Sequence, residues 1–136
     1  MNAAPPPPSS SASPRPVLHI CVTCRAGEEV AIGDKPPGAD LHAALVELNA
    51  AAGAPVDLRQ VSCLAACERG CTAAISMPGK FSYLLGGMSP QTAEDVFDYA
   101  QRYAASKTGL VLPSKRAESL RHAVLGRFPG AEVPVP

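Results

Sequence analysis

Val56-Asp57-Leu58-Arg59-Gln60-Val61-Ser62-Cys63-Leu64-Ala65-Ala66-Cys67-Glu68-Arg69-Gly70-Cys71 carries an alternating apolar run directly into three thiols. Val56 and Leu58 set against Asp57 and Arg59 predict a strand over residues 56–61. Upstream, residues 17–22 form a second short, β-branched run that delivers Cys21 and Cys24. All five cysteines of the chain fall in these two places, which reads as one thiol-lined site. Between them Leu41, Ala44, Leu45 and Leu48 recur at helical spacing, so a helix is expected over about 39–52, ended by Gly53 and Pro55. A strand, a helix and a parallel strand bring both cysteine groups to one edge of a sheet. Cys21, Cys24, Cys63 and Cys67 then come within reach of one another as a four-thiolate site.

The rest of the chain extends this unit. Residues 72–77 and 81–85, joined by Pro78-Gly79-Lys80, predict a β-hairpin, closed by Gly86 and Gly87. Ser89 as N-cap and Pro90 in the first turn open a helix whose inner face would be Val96, Phe97, Ala100, Tyr103 and Ala104, ending at Gly109. Residues 113–128 read as a basic, amphipathic C-terminal helix packed on the domain. The Pro/Ser-rich residues 1–16 are expected to be disordered, residues 17–112 to form one domain, and residues 129–136 to be a loose tail. The order β-α-β-β-β-α plus a terminal helix predicts an α/β fold with a small mixed sheet and flanking helices.

Composition narrows the function classes. Twelve basic against twelve acidic residues give no net charge, which argues against a nucleic-acid or membrane-surface binder. No apolar run is long enough for a membrane span. Residues 1–16 lack the pattern of a secretion signal, so a cytoplasmic location with reduced thiols is expected, favouring metal or redox chemistry over disulfides. No nucleophile–base pairing, dinucleotide fingerprint or helix-borne His pair occurs, and an enzyme is not expected. Thiolates are soft ligands suited to iron–sulfur clusters or zinc. A dithiol at Cys21 and Cys24 is the third option, disfavoured because a Gly/Pro-rich loop separates the motif from the next helix. Cys71 is an alternative fourth ligand. His19 reads as a packed strand residue, His42 and His122 as solvated, and the three tyrosines as core or rim.

The run Val61-Ser62-Cys63-Leu64-Ala65-Ala66-Cys67, followed by Pro78-Gly79-Lys80 and Met88-Ser89-Pro90, resembles the second half of thioredoxin-like 2Fe–2S ferredoxins. That group includes the small cluster-carrying subunit of respiratory NADH dehydrogenase. His19-Ile20-Cys21-Val22 is similar to its first strand and first ligand. More closely, Cys21-x-x-Cys24-Arg25-Ala26-Gly27 and Cys63-Leu64-x-x-Cys67-x-Arg69-Gly70-Cys71 resemble a bacterial family of predicted metal-binding proteins, over about residues 17–128. The resemblance implies a thioredoxin-like fold and a 2Fe–2S cluster (alternatively zinc) on Cys21, Cys24, Cys63 and Cys67. It also implies electron transfer with a redox partner protein, in cobalamin metabolism where members sit near those genes. A homodimer is left open. Two features depart from the ferredoxins: Cys21 and Cys24 stand closer together, and Cys71 is extra. Backbone amides of residues 25–27 and 68–70 are expected to donate to the sulfurs, with Gly27 and Gly70 allowing the close approach. The basic C-terminal helix reads as a solvated face, with docking of an acidic partner through Arg116 and Arg121 as the alternative.

Overall fold

The computed structural model describes residues 15–23, 36–65 and 70–129. Leu18 and Ile20 alternate with Val17 and His19 along β1 (Val17–Cys21), and both are fully buried. The crossover helix α1 (Pro37–Ala51) turns Leu41 and Leu45 onto the sheet and leads to β2 (Asp57–Val61), which pairs parallel to β1. β3 (Cys71–Ser76) runs antiparallel on the other side of β1, and β4 (Ser82–Met88) completes the hairpin. Helix α2 (Ala93–Ala105) follows, and β5 (Val124–Phe128) adds an antiparallel strand to β4. The sheet is mixed, in the order β2-β1-β3-β4-β5. Residues buried on both helices join Leu18, Ile20, Ala73, Ile75, Tyr83 and Leu85 in one core cluster, so the helices share one face of the sheet.

Helix boundaries move for local reasons. α1 starts at Pro37, inside the segment read as loop, because a first-turn proline lacks only an N–H that the helix would not have used. Ser89 and Thr92 form a reciprocal capping box, as the Ser89 amide donates to Thr92 Oγ1 at 3.0 Å. The Pro90 turn is a 3-10 turn, and the α-helix proper begins at Ala93. Tyr99, not Phe97 or Ala104, joins Val96, Ala100 and Tyr103 on the buried face. β4 continues through Gly86 and Gly87 to Met88. Gly87 has φ +73, and a Cβ on Gly70 would lie 3.0 Å from the Gly87 Cα. The close approach at Gly70 is therefore made to the neighbouring strand.

The C-terminal helix expected over 113–128 does not form. Two 3-10 turns (Pro113–Lys115 and Glu118–Leu120) lead into β5 instead. Gly126 weakens a helix there, while Val124 and Phe128 suit a strand, and the outer edge of β4 would otherwise present unpaired backbone. Arg116 fastens this strap. Its guanidinium donates to the carbonyls of Val111 (2.9 Å), Leu120 (3.4 Å) and Arg121 (2.9 Å), which commits it to the chain's own backbone rather than to a solvated face. Lys80, at the hairpin turn, donates to the Tyr103 and Ala104 carbonyls at 3.3 and 2.5 Å and so caps the C-terminus of α2, where a cation meets the negative end of the helix dipole.

Tyr103 ties α2 to the hairpin. Its hydroxyl donates to the Phe81 carbonyl at 2.6 Å, and its ring stands edge-to-face with Tyr83 at 6.1 Å. Burial, aided by Tyr83, pushes the Tyr103 phenol up to about 12, and burial raises Tyr99 as well. An unfolded tyrosine ionises near pH ~10, before the folded one. The stabilisation is thus complete below about pH 10 and is lost as pH rises towards 12. Urea midpoints measured upward from about pH 8 should fall across that window. Tyr103→Phe should start lower and decline less steeply.

Candidate metal centre

Parallel pairing decides where the thiols meet. Cys21 is the last residue of β1 and lies opposite Val61, the last of β2, and the Val22 amide extends the ladder to the Val61 carbonyl at 3.0 Å. Cys63 follows two residues after Val61, so the carboxyl ends of both strands bring thiols to one sheet edge. Cys24 and Cys67 lie outside the described residues. So do residues 25–27, 68 and 69, named above as amide donors. Among the described residues no group of three or more His, Cys, Asp or Glu side chains is close enough to hold a metal.

Cys21 is only 1% exposed. Its thiol faces the Ser62 carbonyl at 3.7 Å and the Thr23 hydroxyl at 3.6 Å, while the Thr23 hydroxyl also donates to the Ser62 carbonyl. Burial by itself would push this thiol up. The Thr23 hydroxyl and amide, the Thr72 hydroxyl and the Leu64 amide together outweigh it and leave Cys21 below the usual thiol range. These donors come from the ends of β1 and β2 and the start of β3, and all favour a negative sulfur.

Cys63 is exposed, and the backbone beside it is bent to serve it. Ala65 adopts φ +59, a left-handed conformation that costs a non-glycine residue about 1 kcal/mol. The Ala65 amide donates to Cys63 Sγ at 3.2 Å. Successive amides, Leu64 and Ala65, thereby serve two different cysteines. Such a strained residue points to a functional constraint.

Cys71 stands apart. It is 0% exposed, belongs to the core cluster with Leu18, Ile20, Val96 and Met88, and pairs with Met88 across the hairpin. Cys21 is not part of that cluster. The spacing of the cysteines could not separate these roles, because a slip of one residue along β3 exchanges the two faces of the sheet. Thr72 and the Leu64 amide were likewise missed, since only the β1–β3 register and the path after β2 bring them to Cys21. Elsewhere His19 lies half-buried in β1, His42 is half-buried and lowered by that burial, and His122 is exposed.

A family model described as a protein of unknown function, DUF1636, matches residues 18–130. The chain belongs to this family. The match covers nearly the same stretch as the bacterial resemblance noted above, and the family's description names no activity. No curated protein and no solved structure matches the chain. Among the described residues no helix is long and apolar enough to cross a membrane.

Proposed function

We propose that the chain is a cytoplasmic, ferredoxin-like electron carrier, with a 2Fe–2S cluster on Cys21, Cys24, Cys63 and Cys67, and not an enzyme in its own right. The observation that carries this reading is the sheet edge at which β1 and β2, paired in parallel, present Cys21 and Cys63 with amide and hydroxyl donors aimed at sulfur. Soft thiols with several N–H and O–H donors fit an iron–sulfur cluster, whose potential depends on such hydrogen bonds. Bound there, the cluster would supply one-electron transfer. The chain's own part is to hold the sulfurs as thiolates, bury Cys21 and leave Cys63 at the surface towards a redox partner protein.

The element order β1-α1-β2-β3-β4-α2, with two helices on one sheet face, supports the thioredoxin-like reading. β5 is then an addition at the far edge. Cys71, inside the core, is assigned to packing, which leaves Cys24 as the fourth ligand. A link to cobalamin metabolism rests on the bacterial resemblance alone.

Anaerobic purification followed by iron, sulfide and zinc analysis tests this. A coloured protein with equal iron and sulfide is expected. One zinc per chain without sulfide would replace the cluster by a structural four-thiolate site, and a metal-free protein with a titratable disulfide would point to a dithiol.

A further inference from the structure

Thr72 buries a hydroxyl that is left without a well-formed hydrogen bond among the described residues. Its side chain is 1% exposed, and the hydroxyl makes no hydrogen bond of ordinary geometry there, although it lies near enough to Cys21 to favour a negative sulfur. Burying a hydroxyl in that state is unfavourable, so a folded protein normally supplies an acceptor. The register identifies the acceptor. One step past the Ile20–Ala73 pair, Cys21 falls opposite Thr72 across the antiparallel β1–β3 ladder. Directly opposed residues in such a ladder project to the same face. Cys21 is itself buried, and its own S–H is turned to the Ser62 carbonyl. A neutral thiol is a weak acceptor, whereas a metal-bound thiolate carries the negative charge a hydroxyl seeks.

We propose that Thr72 is a positioning residue of the metal centre: its hydroxyl closes to a full hydrogen bond on the Cys21 sulfur once that sulfur holds a metal, and otherwise makes none of ordinary geometry among the described residues. This rests on the thiolate-site reading above but not on which metal is native. A residue of this kind opposes two quantities that a merely structural residue moves together. Thr72→Val keeps the branched shape of the side chain and removes the hydroxyl. It relieves an unsatisfied group in the metal-free protein while taking a hydrogen bond from the loaded one.

Cobalt(II) is a suitable probe, because its thiolate charge-transfer band reports directly on sulfur. The reduced full-length protein is titrated anaerobically with cobalt(II), and urea midpoints are measured without metal. Thr72→Val should bind cobalt about tenfold more weakly and shift the charge-transfer band, yet unfold at a higher urea concentration when metal-free. Thr72→Ser, which keeps the donor, should retain the wild-type band. An unchanged band and affinity in Thr72→Val would overturn the role of Thr72 and leave the metal site standing. Weaker binding together with a lower metal-free midpoint would also overturn it, by making Thr72 a packing residue. A wild-type protein that gives no thiolate–cobalt band at all would remove the metal-site reading, and this proposal with it.

Discussion

Cys21→Ser and Cys63→Ser are each expected to abolish retention of the proposed metal, whereas Cys71→Ser should keep it and lose stability. The first two replace thiolates at the shared edge of β1 and β2, where Cys21 draws donors from three segments and Cys63 accepts from the Ala65 amide. Serine oxygen is a hard, weakly acidic ligand and does not substitute for a soft thiolate. Cys24→Ser and Cys67→Ser should behave like them. At Cys71 a hydroxyl would enter the apolar core opposite Met88, at a cost of about 1–3 kcal/mol. Metal content after gel filtration and a urea titration separate the two classes. Loss of metal from Cys71→Ser with unchanged stability would move Cys71 into the site.

The largest effect on stability should come from Gly109→Ala. Gly109 has φ +88, and a Cβ there would lie 2.6 Å from Tyr103 Cε2 and 3.2 Å from the Phe81 carbonyl oxygen. Tyr103 cannot give way: it is fully buried, bonded to that carbonyl, and held against Tyr83. Overpacking adds to left-handed strain, for about 2–4 kcal/mol in all. Gly53→Ala is the control. Its φ of +86 is nearly the same, but nothing lies within 4 Å of the added carbon, so only about 1 kcal/mol of strain remains. Equal urea midpoints for the two variants would rule out the clash at Tyr103.

Local chemistry made much of the fold readable. The Leu41–Leu45 stripe, the Pro-Gly turn between β3 and β4, and Ser89 before α2 each carry their signal within a few residues. The strap from Gly109 onward does not. Helical periodicity in residues 114–127 competes with pairing to the edge of β4, and that edge exists only once the hairpin has docked. Arg116 likewise looks like a solvated cation until the carbonyls of Val111, Leu120 and Arg121 close around it. At the site, the arrival of Cys21 and Cys63 at one end of the β1–β2 pair could be read from the strand–helix–strand pattern, but the core position of Cys71 could not. It depends on strand register, as does the meeting of Thr72 with Cys21.

The parallel pairing of β1 with β2 also orders events in time. The β3–β4 hairpin closes through near neighbours and can form in microseconds. Cys21 reaches Cys63 only after the chain between β1 and β2, helix α1 included, has folded back over the sheet, a distant contact with a large loop-closure cost. The thiol edge is accordingly expected to assemble after that hairpin. Metal uptake during refolding would then serve as a clock for closure of the β1-α1-β2 unit.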